Sequence, residues 1–158
     1  MRFATFHAIV LATALSFPAS GVLANPGHEH GDAKAGGPGK AAEATRTVKI
    51  DSLDQSFSLK QVQVKPGETI RFVVTNKSSI KHEFGIGTHH DQQAHRAMMS
   101  SMPDMEHNDP HVVSVKPGET KEVIWKFGTD KEALKDLEFS CNIPGHAEGG
   151  MIGSFRSL

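Results

Sequence analysis

The sequence predicts an all-β fold, a two-sheet sandwich or Greek-key barrel. Three observations carry that prediction: short runs in which apolar and polar residues alternate, Gly/Pro turn punctuation between them, and a repeat of one strand-turn-strand unit. The repeated unit is Val64-Lys65-Pro66-Gly67-Glu68-Thr69, which recurs as Val115-Lys116-Pro117-Gly118-Glu119-Thr120 with Pro-Gly making the turn in each copy. The copies lie too far apart for a stacked solenoid and fit a sandwich or barrel instead.

Residues 1–24 have the character of a secretory signal peptide. Arg2 precedes an apolar run from Ala8 to Leu15, Pro18 breaks it, and Val22-Leu23-Ala24 presents small residues for cleavage near Ala24. Ser16, Pro18 and Ser20 interrupt the stretch, which is shorter than the ~20 residues a membrane span requires. The expected location is the periplasm, with no membrane span in the mature chain. Residues 25–45, rich in Gly, Pro and Ala, have little to bury and read as a flexible tail. His28 and His30 there would add a weak metal site, although a solvated polar tail explains them more simply.

Residues 46–158 suffice for one domain with a single core. Strands are expected around Val48 and Ile50, over Gln61–Val64 and Thr69–Thr75, then over Val112–Val115, Glu122–Phe127, Leu137–Ser140 and Met151–Phe155. A helical turn is expected only over Lys131–Lys135. Trp125, Phe72, Phe127, Phe139 and Phe155 are the expected core. With 17 Lys+Arg against 18 Asp+Glu, a formal net charge of -1 and no dense basic run, nucleic acid is excluded as an expected partner.

The chemistry concentrates in Phe139-Ser140-Cys141-Asn142-Ile143-Pro144-Gly145-His146-Ala147-Glu148-Gly149-Gly150-Met151, where one short loop carries a thiolate, an imidazole and a thioether. Pro and Gly would mark a bend here whatever the side chains did. Cys141, however, is the sole cysteine, and ligation to a metal resolves the liability of an unpartnered thiol in an exported protein. Two imidazoles, one thiolate and a weak axial thioether make an electron-transfer copper site, so a second histidine is needed, and His82 is the best candidate.

These residues, with Asn76-Lys77-Ser78-Ser79-Ile80-Lys81-His82-Glu83-Phe84, resemble the cupredoxins, the small blue-copper β-sandwich family that includes plastocyanin, azurin, pseudoazurin and rusticyanin. The resemblance covers about residues 46–158. It implies His82 and His146 as the imidazole ligands, Cys141 as the thiolate and Met151 as the axial ligand of one type 1 copper cycling between Cu(I) and Cu(II). The Cys-x4-His-x4-Met spacing is similar to that of rusticyanin and of the bacterial copper-tolerance cupredoxins of the CopI group. One departure stands out: many members carry Asn after the first histidine to tie the two ligand loops together, and this chain has Glu83.

Residues 88–111 form an insert after the first ligand strand. It holds His89, His90, His95, His107 and His111, five of the ten histidines, and Met98, Met99, Met102 and Met105, every methionine besides Met1 and Met151. Thioethers prefer Cu(I) and imidazoles accept Cu(II), so these residues are candidates for secondary copper binding. The plainer reading is a helical flap from about Asp91 to Met102 with Met98, Met99 and Met102 as adaptable packing. Glu83, Asp91, Asp104, Glu106 and Asp109 are candidates for an acidic docking face, a solvated surface being the simpler reading.

Three functions of different class are compatible with the sequence. The first is copper homeostasis or tolerance by sequestration or Cu(I) handling. The second is one-electron transfer between a cytochrome or copper enzyme and another periplasmic redox protein, through an apolar patch around His146. The third is oxidation of Cu(I) to Cu(II), which requires an acceptor. The type 1 ligands are common to all three, and the insert separates them. No hydrolase constellation stands out, so the expectation is a non-enzymatic, monomeric copper protein, partnered by copper ions and by a redox protein, copper exporter or oxidase.

Overall fold

Alternating burial builds the first sheet. In the computed structural model, which describes residues 34–158, strand β2 (Arg46–Leu53) buries Val48, Ile50 and Ser52, and β5 (Thr69–Asn76) buries Ile70, Phe72, Val74 and Asn76. The expected signal peptide and the His28/His30 pair lie outside the described residues. β2 runs parallel to β5, with Val48 opposite Phe72, and β5 pairs antiparallel with β9 (Thr120–Phe127), with Ile70 opposite Trp125. β1 (Gly36–Pro38) and β3 (Ser56–Phe57) complete this sheet in the order β1-β9-β5-β2-β3.

The second sheet is ordered β4-β11-β10-β6-β8-β7, from β4 (Gln61–Val64), β6 (His82–Thr88), β7 (Asn108–Asp109), β8 (Val112–Val115), β10 (Leu137–Ser140) and β11 (Ile152–Ser157). Between the sheets Phe72, Phe84, Phe139, Phe155 and Phe127 stack with neighbouring ring centroids 5.0–5.8 Å apart. All five expected core aromatics are buried, and Phe57 and Phe84 join them.

The repeated motif is the crossover from the second sheet to the first, once as β4 to β5 and once as β8 to β9. Glu68 N–H donates to Lys65 O at 3.0 Å and Glu119 N–H to Lys116 O at 2.9 Å. Gly67 and Gly118 sit at φ of 77° and 75°, so Pro-Gly forms a type II turn in which the second central residue must adopt positive φ. In each copy the Glu carboxylate also accepts from the backbone N–H of the motif's Lys.

Two expectations need correction. Residues 34–45 are not a free tail: β1 pairs with β9, Gly128 N–H donates to Ala35 O, and residues 41–43 form a 3-10 turn. A segment with few side chains to bury still docks because the edge of β9 offers unpaired backbone groups. The acidic cluster is not one surface either. Glu83 is 0% exposed, and Asp91 caps the helix that follows β6.

That helix, α1 (His89–Ser101), begins two residues earlier than the expected flap. Thr88 Oγ1 accepts from Asp91 N–H while Asp91 accepts from Thr88 N–H, a reciprocal cap that fixes the start. Because α1 covers the outer face of β6, all seven residues of β6 are buried. The expected turn near residues 131–135 is a 3-10 turn at Ala133–Asp136. No helix among the described residues is long and apolar enough to cross a membrane.

Candidate metal centre

His82 opens β6 and is oriented by the loop before it. Asn76, at the end of β5 and 0% exposed, donates through Nδ2 to Ile80 O at 2.7 Å and Val115 O at 2.8 Å, and its Oδ1 accepts from Ser78 N–H and Oγ–H. With its proton directed to Asn76, Ser78 Oγ can accept from His82 Nε2–H at 2.8 Å. That hydrogen bond leaves Nδ1 of His82 as the lone-pair nitrogen, the arrangement a metal-binding imidazole needs.

Cys141 follows β10, and the loop from it returns to β11 through Met151. Cys141 N–H donates to Met151 O at 3.1 Å, Met151 N–H to His146 O at 2.9 Å, and His146 N–H to Ile143 O at 3.0 Å. Three of the four candidate ligands are therefore locked to one another by backbone.

The donor atoms converge. Cys141 Sγ lies 3.2 Å from His146 Nδ1 and 3.9 Å from His82 Nδ1, and the two Nδ1 atoms are 3.2 Å apart. Cys141, His82 and Met151 are 0% exposed, whereas His146 is half-buried and forms the accessible edge. Burial pushes the Cys141 thiol up to about 12, opposed by N–H groups of Glu83 and Ile143 directed at the sulfur. It pushes His82 down to about 4, helped by His146, and lowers His146 too. Without a cation the site thus favours a neutral thiol and neutral imidazoles, and the thiolate requires a positive partner. Two nitrogen donors, one sulfur and a buried thioether residue fit a type 1 copper ion.

The insert residues do not form one cluster. His95, on α1, and His107 converge on Glu83, with one donor atom from each of the three side chains within 4.8 Å of the others. His89 instead pairs with Glu138 at 3.1 Å, and His90, Met98 and His111 line a cavity beside Trp125. Met99 is 0% exposed and packs as the flap reading expects, Met98 and Met105 are half-buried, and Met102 is 44% exposed. Packing therefore accounts for one methionine fully and leaves the exposed Met102 unexplained.

Sequence reasoning passed over Gln92 and Asn142. Gln92 Nε2–H donates to Gly85 O at 2.9 Å, and its Oε1 accepts from Ser140 Oγ–H at 2.9 Å and Asn142 Nδ2–H at 2.5 Å. Asn142 Oδ1 accepts from Arg96 Nε–H at 3.2 Å. This network joins α1 to the residue beside Cys141. Asn142, adjacent to the thiolate candidate, was the one available signal.

Residues 44–156 match the model of the family described as copper binding proteins, plastocyanin/azurin family. The copper-resistant cuproprotein CopI of Rubrivivax gelatinosus is 42% identical over 142 residues, covering 82% of this chain and 84% of the relative. CopI of Vibrio cholerae serotype O1 is 42% identical over 129 residues, covering 80% and 73%. Among solved structures, reduced auracyanin from Roseiflexus castenholzii superposes with a TM-score of 0.58 at 21% identity, covering 73% of this chain and 98% of auracyanin, a likeness of fold.

Proposed function

Because the chain belongs to the plastocyanin/azurin family of copper-binding proteins, we propose that it is a periplasmic copper-homeostasis protein that supports copper tolerance. His82, Cys141, His146 and Met151 hold one type 1 copper, and the segment 88–111 handles further copper. The observation that carries this reading is the convergence of Cys141 Sγ with the Nδ1 atoms of His82 and His146 in a chain whose relatives are named copper-resistant cuproproteins. Copper bound there supplies one-electron exchange between Cu(I) and Cu(II).

The chain's own residues set the conditions of that exchange. Ser78 holds His82 in one tautomer, and the loop's backbone bonds keep Cys141, His146 and Met151 in place, so ligand positions change little with oxidation state. The Glu83 N–H at 3.2 Å stabilises negative charge on Sγ. Burial excludes water from Cys141, and half-buried His146 is the edge through which an electron would pass.

Exposed Met102 favours copper handling over a plain one-electron carrier, since an exposed thioether offers a soft ligand for Cu(I). The carrier reading, and oxidation of Cu(I) with a separate acceptor, use the same type 1 site. An anaerobic Cu(I) titration of the mature metal-free protein against a competing chelator separates them. Copper handling predicts more than one tightly bound ion, with the excess lost in a Met98→Leu/Met102→Leu/Met105→Leu variant that also lowers copper tolerance. A single ion, abolished by Cys141→Ala, with tolerance unchanged in the triple variant, supports the carrier.

A further inference from the structure

We propose that Glu83, His95 and His107 form a second metal site for a divalent ion of borderline character, Zn(II) or Cu(II), wired to the type 1 site through the backbone of Glu83.

Glu83 Oε2 lies 3.2 Å from His95 Nε2, and Glu83 Oε1 lies 3.7 Å from His107 Nε2. The two imidazole rings are tilted by 55° with centroids 4.7 Å apart. Both Glu83 Oε1 and His107 Nε2 are buried without a hydrogen-bond partner. A distance of 3.7 Å is beyond hydrogen-bond reach, so a proton shared between them does not account for the pair. The far side of the His107 ring explains the orientation, because Nδ1 lies 3.1 Å from Asp109 Oδ2. With Nδ1–H donating to that carboxylate, Nε2 keeps its lone pair and directs it at the Glu83 oxygen. Carboxylate-bound imidazoles of this kind are how proteins present histidine to a metal.

A fully buried carboxylate is costly unless a cation meets it, and among the described residues neither Lys nor Arg pairs with Glu83. A divalent ion among the three side chains would neutralise Glu83 and satisfy both orphaned atoms. One carboxylate and two imidazoles suit Zn(II) or Cu(II), and three protein ligands leave a fourth position for water. The main chain of Glu83 meanwhile donates to Cys141 Sγ at 3.2 Å. A cation held by its carboxylate adds positive charge beside the type 1 thiolate, which favours Cu(I) and raises the type 1 reduction potential.

The site adds Glu83 of β6, with His95 and His107 of segment 88–111, to the methionines proposed above to handle further metal, and rests on the family reading only for the type 1 copper used as an internal control. Zn(II) is titrated into the mature copper-loaded protein and metal content is measured after desalting. The expected result is one Zn(II) per chain beyond the copper, lost in His95→Ala and in His107→Ala, kept in His89→Ala, with type 1 absorption intact throughout. Zn(II) loading should also raise the type 1 potential in wild type and leave it unmoved in His95→Ala. Absence of a second ion in wild type, or a second ion that survives both substitutions, overturns the site. In Cys141→Ala the second ion should remain while the type 1 absorption disappears, so failure of the copper assignment and failure of this site give different results.

Discussion

Glu83 N–H donates to Cys141 Sγ across 3.2 Å, joining the residue after the first histidine of the centre to its sulfur. The contact runs through the main chain, so the tie between the two ligand segments does not depend on the side chain at position 83. That side chain is left to meet His95 and His107 on the other side of β6.

Cys141→Ala should abolish the intense thiolate-to-Cu(II) absorption of copper-loaded protein while leaving the fold in place. Cys141 belongs to the buried core cluster, and removing one sulfur there should lower stability by about 1–2 kcal/mol. A visible spectrum recorded beside a urea titration checks both outcomes, and survival of the band refutes the ligand assignment.

Asn76→Ala should be costly although Asn76 touches no candidate ligand. It leaves the buried carbonyl of Val115 and the part-buried carbonyl of Ile80 without the amide donor and releases Ser78, the partner of His82 Nε2. A loss on the order of 2–4 kcal/mol is expected from the orphaned groups. Copper affinity should fall as well, because His82 loses its fixed tautomer. Denaturant unfolding and chelator competition measure the two effects, and unchanged affinity would show that Ser78 does not orient the histidine.

Much of this arrangement was legible in the sequence. Alternation over 69–76 and 120–127, the repeated Pro-Gly turn and the Cys141-to-Met151 loop each express a local rule, and each appears in the structure. What escaped prediction depends on long-range placement. Nothing local distinguishes Glu83 from a surface acid until α1 and residues 105–109 fold over β6, and Gln92 reveals its role only when Asn142, 50 positions away, comes within 2.5 Å. The pairing of residues 36–38 with β9 rests on backbone groups alone, which side-chain patterns cannot report.

Acidification should destabilise the metal-free protein over a defined window. Burial lowers His82 from the ordinary 6.5 to about 4, so between those values the unfolded chain binds the proton and the folded chain does not. Stability therefore declines as pH falls from about 6.5 to about 4 and levels off below, by up to roughly 3 kcal/mol from this residue. At the alkaline end the sign reverses in cause: Cys141, raised from 9.0 to about 12, keeps its proton in the folded state, so stability declines as pH rises through that range. Urea midpoints of the metal-free protein across pH would show both slopes. A flat acid limb would contradict a buried neutral His82.

Gly153→Ala tests the packing of β11 against β10. A Cβ at Gly153 would stand 2.0 Å from Cζ of Phe139, a ring that is itself fully buried among Phe57, Phe84 and Phe155. The ring has no room to yield, so a loss of about 1–3 kcal/mol or more is expected. Thermal unfolding measures it, and a neutral outcome would mean that the aromatic stack is looser than its centroid distances imply.

Gln92→Ala separates support of the copper loop from its ligation. Gln92 on α1 accepts from Asn142 Nδ2–H and Ser140 Oγ–H, flanking Cys141 on both sides, and donates to Gly85 O in the strand that carries His82. Truncation orphans these groups beneath the helix, and a loss of about 2–3 kcal/mol is expected. No candidate ligand changes, so the type 1 band should still form, but α1 and the residues flanking Cys141 are no longer held together. Copper release to a chelator should therefore be faster than in wild type, at a rate measured on folded protein well below its unfolding midpoint. Unaltered release with lowered stability would confine Gln92 to packing and leave the loop held by its own backbone bonds from Cys141 to Met151 and from Met151 to His146.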